Sequence, residues 1–195
     1  MKSCYGRLIG TDGKFMATVS DADIVSALKE NLESGFRLLM ARYREPVYWH
    51  IRRLVVSHDD AQDAAQETFI RAFRSLGRFK GECSLGAWIY RIATNEALRA
   101  IDRRRGGRVS LDDADAGAGR LAADGYVDYS DLEAVKLQNA ILSLPTKQQL
   151  AFNLRYYDGL EYDEIAAVTG STAASAKANY HVAKEKIIKY MNSTI

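Results

Sequence analysis

The stretch Asp60–Arg105, DAQDAAQETFIRAFRSLGRFKGECSLGAWIYRIATNEALRAIDRRR, decides the fold, because it carries two helices that each have two distinct faces. In the first, Ala65, Phe69, Ala72, Phe73 and Leu76 recur at i, i+4, i+7, i+8 and i+11, the pattern of a helix buried on one side. Asp59 or Asp60 can cap it, and Gln62, Asp63, Gln66, Glu67, Arg71 and Arg74 fall around the other side. The Gly77–Gly86 stretch, with Gly81 inside it, reads as a loop. A second helix runs from about Leu85 to Arg104, with Leu85, Ile89, Ile92, Ala93 and Ile101 toward a core. Trp88, Arg91, Asn95, Arg99 and Asp102 form another stripe at helical spacing. Cations suit phosphates, and an amide and an aromatic ring suit bases, so this stripe fits a nucleic-acid face. The plainer alternative is a half-buried Trp88 flanked by ordinary surface charges.

Working toward the N-terminus, Ser20 or Asp21 can cap a helix whose apolar residues Val25, Leu28, Leu32, Phe36, Leu39 and Tyr43 keep helical spacing, with Gly35 weakening its middle. Pro46 suits the first turn of a further helix bearing Val47, Ile51, Leu54 and Val55. Residues 1–19 hold Gly6, Gly10 and Gly13 without a clear period and read as a tail.

Working toward the C-terminus, the charge changes sign abruptly. From Arg91 to Arg108 six arginines face two acids, a net of +4, whereas from Val109 to Glu133 seven acids face Arg120 alone, a net of −6. A basic helix end beside an acidic, glycine-punctuated stretch suggests a nucleic-acid-binding surface followed by a flexible linker. Helix resumes near Asp131. Pro145 suits the first turn of a helix through Leu150, Leu154 and Tyr157 that Gly159 can close. A short helix with Tyr162, Ile165, Ala166 and Val168 follows, then the turn Thr169-Gly170-Ser171. Ser171 or Thr172 can cap a last helix with Ala176, Tyr180, Ala183 and Ile187 inward.

Two short helices joined by a tight turn containing glycine are the signature of a helix-turn-helix, whose second helix presents its N-terminal residues to base edges in the major groove. Those residues here are Thr172, Ala173, Ser175 and Lys177, with His181 and Lys184 further along the same side. Four lysines against Glu185 give the segment Thr172–Tyr190 a net charge of +3, which can meet a phosphate backbone.

Bulk composition narrows the remaining classes. The 195 residues are 47% hydrophobic and 27% charged, a globular balance, and only 2 are proline, consistent with helices. Cys4 and Cys83 fit neither a disulfide framework nor a zinc site, and His50, His58 and His181 are scattered, so no metal or cofactor is expected. Neither a signal peptide nor a spanning segment is evident, which points to a soluble cytoplasmic protein with no direct membrane insertion. No phosphate loop, nucleophile elbow, HExxH or paired metal ligands occur, so neither catalytic residues nor a small-molecule substrate is expected.

The segment Asp60–Arg105 resembles the second conserved region of sigma-70 family factors, and Ile141–Met191, ILSLPTKQQLAFNLRYYDGLEYDEIAAVTGSTAASAKANYHVAKEKIIKYM, resembles their fourth. With a short linker and no large middle domain, the likeness is to the compact extracytoplasmic-function (ECF) class and spans about Asp21 to Met191. It implies an all-α protein of two small helical domains: a tail at 1–19, region 2 at 20–105, an acidic linker at 106–130, and region 4 at 131–195. It also implies a sigma factor that binds core RNA polymerase, directs promoter-specific initiation and is controlled by an anti-sigma factor. The implied partners are the clamp helices of the largest polymerase subunit, the flap of the second-largest subunit, and promoter DNA. On this chain the resemblance assigns polymerase docking to Gln62, Asp63, Gln66, Glu67 and Arg71. It assigns the −10 element to the loop Lys80–Ser84 and to Trp88, Arg91, Asn95, Arg99, Arg103 and Arg104. Asn95 is the best candidate for a base contact, since an amide both donates and accepts. The −35 element falls to Thr172, Ser175, Lys177, Ala178, Asn179, His181 and Lys184.

The chain departs from the family pattern in region 4. Glu161 stands where many members have Ser or Thr, so the scaffold helix is expected to lack its usual cap, and Asn179 and Val182 stand where Arg is common. Cys83 in the base-reading loop reads as incidental rather than as a redox sensor. A stand-alone helix-turn-helix repressor is the competing reading, but it leaves the two helices of Asp60–Arg105 without a role, and such regulators usually dimerise on palindromes.

Overall fold

The computed structural model describes residues 19–104 and 132–193; residues 1–18 of the tail, the linker and the last two residues lie outside the described residues. Those residues form eight helices and no strand. Helices α1 (Asp21–Glu30), α2 (Leu32–Val55), α3 (His58–Leu76) and α4 (Leu85–Arg104) make one helical unit. A second comprises α5 (Leu132–Leu142), α6 (Thr146–Tyr156), α7 (Tyr162–Thr169) and α8 (Ala173–Asn192).

The first unit begins at a capping box: Ser20 Oγ accepts from the Asp23 amide, and the Asp23 carboxylate accepts from the Ser20 amide at 2.9 Å. The Ser20 hydroxyl, which donates to the same carboxylate at 2.7 Å, and then the Ser20 amide hold the Asp23 carboxyl below its ordinary pKa. The expected single helix through Tyr43 is instead broken at Asn31, and the expected start at Pro46 is wrong. Asn31 adopts extended backbone, closes α1 with its own N–H on the Ala27 carbonyl, and opens α2 by accepting from Ser34 N at 3.0 Å. One asparagine thus serves both ends, whereas Pro46 lies inside α2 between the buried Tyr43 and Val47. Tertiary packing on both flanks outweighs the backbone bond that proline forfeits. Gly35 also has a different meaning from a weak spot. A Cβ there would come within 2.5 Å of the Leu28 side chain and 2.6 Å of its backbone nitrogen, so only glycine lets α1 fold back onto α2. The junction is pinned by Asp21, which accepts from Tyr43 Oη at 2.8 Å and pairs with Arg42 Nε at 2.8 Å.

Helix α3 is capped by Ser57, not by Asp59 or Asp60: its hydroxyl accepts from Asp60 N at 3.3 Å. Its buried stripe is Ala61, Ala64, Thr68, Phe69, Ala72 and Leu76, one position around from the expected one. Phe73 is accordingly 44% exposed, although its edge meets Phe36. In the second unit Gly170 takes the left-handed conformation (φ 66°) that closes α7, and Thr172 caps α8 by accepting from Ser175 N at 3.2 Å. Glu161 does stand at the N-cap of α7, and Glu164 one turn on accepts from its amide at 3.0 Å.

Among the described residues, two apolar clusters hold the helices together. Ala140, Ile141, Leu144, Phe152, Ala183 and Ile187 belong wholly to α5–α8 and the α5–α6 turn. The larger cluster crosses between the units. Leu150, Leu154, Leu160, Ile165, Val168 and Ala176 are buried in the same apolar body as Leu39, Ile51, Ile89 and Ala93. The second unit is therefore packed against the first, with α7 lying on α4 and α6 touching α2. Removing a fully buried leucine such as Leu154 to alanine would cost roughly 2–5 kcal/mol.

Candidate nucleic-acid and polymerase interface

The row expected to meet the −10 element lies on the exposed side of α4. Ser84 starts the helix by accepting from Ala87 N at 3.1 Å, which fixes the loop-to-helix junction. Beyond it Arg91, Asn95, Arg99 and Arg103 are exposed, as are Lys80 and Ser84 in and beside the loop. From Trp88 to Arg99 the row spans about 16 Å at 1.5 Å per residue, room for several nucleotides. Trp88 is half-buried, its ring 5.3 Å from that of Phe79, so it is a core-edge residue with one side open to solvent. Arg104 is exposed and pairs with Asp60 at 3.3 Å across to the start of α3. Such a half-exposed pair contributes little, and a phosphate can displace it. Cys83 is a half-buried free thiol whose pKa is raised mainly by burial, with Arg91 opposing. A thiol so placed carries less thiolate at neutral pH than a free one.

The expected polymerase face divides into two rows. Gln62, Gln66 and Ile70 line an open groove between α2 and α3 of about 1470 Å³, whose opposite wall carries Met40, Tyr48 and Trp49. Asp63 is exposed on the next row of α3, which continues through Glu67 and Arg71 and turns toward α4. There Arg71 Nε lies 2.8 Å from Glu67 and 2.9 Å from Glu96, and Arg99 Nη1 bonds the same Glu96 carboxylate oxygen. Glu96 is 3% exposed, yet its two arginines are about half-exposed. A buried carboxylate is tolerated only when paired, and Glu96 has two cations for one charge. The chain Glu67–Arg71–Glu96–Arg99 therefore ties the row expected to meet polymerase to the row expected to meet DNA. The sequence reading overlooked Glu96, the aromatic wall at Tyr48 and Trp49, and the hydrogen-bonded Tyr48–His58 pair at 2.8 Å. A clue to Glu96 was its place three residues before Arg99 on the inward side of α4.

On α8, Thr172, Ser175, Lys177, Ala178, His181 and Lys184 are exposed, and Asn179 is half-buried with its amide 3.4 Å from Ser175 Oγ. Lys177, His181 and Lys184 follow one another at i, i+4 and i+7, so they share a face. Behind it, Phe152 stacks with Tyr156 and Tyr180 at centroid distances of 5.1 and 6.0 Å, which fixes α8 across α6. The Arg155 guanidinium reaches Glu161 at 2.9 Å and lies 5.0 Å from the Tyr162 ring centroid, linking α6 to α7.

Comparison with known proteins agrees with this layout. Residues 39–106 match the Sigma-70 region 2 family, and residues 134–187 match the family Sigma-70, region 4. The RNA polymerase sigma-H factor of Pseudomonas aeruginosa is 31% identical over 181 residues, covering 87% of this chain and 92% of that protein. The ECF RNA polymerase sigma-E factor of Escherichia coli (strain K12) is 32% identical over 179 residues, covering 87% and 93%. Among solved structures, the sigma factor RpoE in complex with the anti-sigma factor NepR from Bartonella quintana superposes with a TM-score of 0.66 at 22% identity, covering 82% of this chain and 98% of that one. CnrH in complex with the cytosolic domain of CnrY gives 0.65 at 20% identity, covering 89% and 97%. Those two share the fold. With both halves matched in order and relatives above 30% identity along nearly their whole length, the chain belongs to the sigma-70 family, as a sigma factor of the ECF class.

Proposed function

We propose that this sigma factor docks on core RNA polymerase through α3, with Gln62 and Gln66 on the α2–α3 groove and Asp63, Glu67 and Arg71 on the adjoining row, and reads promoter DNA with α4 and α8. The observation that carries this reading is the separation of chemistries on the first helical unit. An aromatic groove edged by Gln62 and Gln66 lies on one side, and a cationic row of Arg91, Arg99 and Arg103 with Asn95 between them lies on α4. The groove suits helices of a protein partner, here the clamp helices of the largest polymerase subunit, because its carboxamides can satisfy polar groups around an apolar contact. The α4 row suits a melted strand: Lys80, Ser84 and the arginines hold phosphates, while Asn95 and the open side of Trp88 meet an unstacked base. Helix α8 suits the −35 duplex, with Thr172, Ser175, Lys177, Ala178, Asn179, His181 and Lys184 at its groove-facing end and side. Residues 131–195 also meet the flap of the second-largest subunit.

Neither set of DNA contacts is strong alone. Joining them on one polymerase makes the second contact intramolecular and raises its effective concentration. An anti-sigma factor, such as the one bound to the sigma factor RpoE in the Bartonella quintana complex, is the inhibitor this arrangement calls for. The protein initiates transcription in the cytoplasm without catalysing a reaction itself. Among the described residues no helix is long and apolar enough to cross a membrane.

The test of docking is binding to purified core polymerase by native electrophoresis, comparing wild type with an Asp63→Lys, Glu67→Lys double variant and with Gln66→Arg. Wild-type binding at submicromolar concentration that weakens at least tenfold in both variants supports the reading. Equal binding by all three proteins overturns the assignment of the docking face.

A further inference from the structure

The contact between the two helical units has a polar centre as well as an apolar one. Asp158, in the loop between α6 and α7, is 3% exposed, and residues of α2 take both of its carboxylate oxygens. His50 Nδ1 donates to Oδ2 at 2.8 Å, and Arg53 Nη1 donates to Oδ1 at 3.0 Å. His50 is fully buried and is held from behind by Thr94 Oγ1 of α4, 2.9 Å from Nε2. The Arg53 guanidinium also lies 4.4 Å from the ring centroid of Tyr157, the neighbour of Asp158. A second bridge joins α7 to the start of α4, where Ser84 Oγ donates to Glu164 Oε1 at 2.5 Å.

A buried carboxylate persists only where a partner compensates its lost hydration. Asp158 finds its compensation entirely in the other helical unit, 105 and 108 positions away in sequence. Such a socket is selective, because neither a neutral side chain nor a displaced loop would satisfy Arg53 and His50 together. The consequence reaches the DNA face, since the same arrangement places Glu164 on the hydroxyl of Ser84. A phosphate approaching that loop meets a carboxylate, and the hydroxyl that would receive it is already committed.

We propose that Asp158 seated between His50 and Arg53 is an intramolecular latch, which holds region 4 on region 2 and keeps the Lys80–Ser84 loop closed to promoter DNA until polymerase pulls the units apart. The effect on DNA rests on the assignment of that loop to the −10 element. The latch itself does not. It makes the free protein a single closed body, in which the exposed recognition helix α8 cannot act together with the obstructed loop. Opening moves Asp158 into water, where its charge needs no partner, while docking and DNA contacts offset the lost interface.

The experiment uses the full chain with Cys4 and Cys83 replaced by serine and fluorophores on Glu30→Cys and Lys189→Cys, both exposed and outside the proposed contacts. Single-molecule energy transfer then gives the distance distribution between the units. The wild-type free protein is expected to show one narrow population, which core polymerase replaces with a different one. Asp158→Asn and Arg53→Met, approaching the latch from opposite sides, are each expected to raise the open population at least tenfold. The double variant is expected to be no more open than the worse single one. Asp163→Asn, an exposed acid five positions on in α7, leaves the distribution unchanged. Far-ultraviolet circular dichroism checks that the helices persist in every variant. A broad wild-type distribution, or latch variants that stay closed, overturns the proposal. Binding of unlabelled wild type to core polymerase is scored separately. A protein that binds polymerase but is never closed refutes the latch alone, and one that is closed but never binds polymerase refutes the sigma-factor reading alone.

Discussion

Replacing Glu96 with glutamine removes one negative charge while keeping the size and one acceptor oxygen of the side chain. The carboxylate is 3% exposed and sits between Arg71, at 2.9 Å, and Arg99. A pair of unit charges about 4 Å apart is worth about 4 kcal/mol at an effective dielectric constant of 20. Two terms reduce that figure. Arg71 and Arg99 are 45% and 54% exposed, so water screens both, and Arg71 keeps Glu67 at 2.8 Å. The carboxylate also gave up hydration to be buried, a cost that glutamine largely escapes. The expected net loss is about 1–2 kcal/mol, which lowers the melting temperature by roughly 5–10 °C for a unit of this size. Urea melts followed at 222 nm measure it, with the same change repeated in an Arg71→Met background. There the loss should fall by about half, because one of the two pairings is already gone. A stability change below about 0.3 kcal/mol in the wild-type background, or an equal change in both, would refute the idea that Glu96 joins α3 to α4 through its charge.

The raised pKa of Cys83 predicts slow alkylation: in a Cys4→Ser chain at pH 7.5, iodoacetamide should react more slowly than with a free thiol such as glutathione. Faster reaction would restore the redox-sensor reading. Burial pushes the Tyr43 phenol up to about 12, above roughly 10 for an unfolded tyrosine. The fold favours its neutral form, so the contribution is intact below pH 10 and is lost as pH rises from 10 to about 12. Urea melts at pH 9 and 11 should show a steeper loss for wild type than for Tyr43→Phe, and identical slopes would contradict this. Asn153 is fully buried, and neither atom of its amide has a hydrogen-bond partner among the described residues. Asn153→Leu should therefore be neutral or stabilising by up to about 1 kcal/mol; a loss above 1 kcal/mol in a thermal melt would reveal a hidden partner.

Much of the local structure was legible because its causes are local. Ser20, Thr172 and Gly170 announce helix ends through chemistry confined to one turn, and the helix-turn-helix follows from two apolar periods around one glycine. The exposed rows on α4 and α8 were likewise readable, since spacing alone puts Arg91, Asn95 and Arg99 on one side. The errors fall where packing overrides local preference. Pro46 looks like a helix start until Tyr43 and Val47 are seen buried on either side of it, and Gly35 looks weak until Leu28 is seen against it. Phe73 fits an apolar period but lies at its edge, leaving Ala61 and Ala64 to face the core. Asp158 reads as an ordinary acid, because its burial and distant partners leave no trace in nearby residues, and Glu96 offers only Arg99 three positions on as a local sign of pairing. The joining of the two units through His50 and Asp158 had no sequence signal, with 108 positions between them.

The most direct test is run-off transcription with purified protein, bacterial core polymerase and a pool of promoter fragments from the source genome. The account predicts discrete transcripts that depend on the wild-type protein. They should disappear with Asp63→Lys, Glu67→Lys, and fall with Asn95→Ala unless the template is already melted around the start site. Failure of the wild-type protein to bind core polymerase or support any transcript, while it footprints duplex DNA alone, would contradict the account and favour a stand-alone helix-turn-helix regulator.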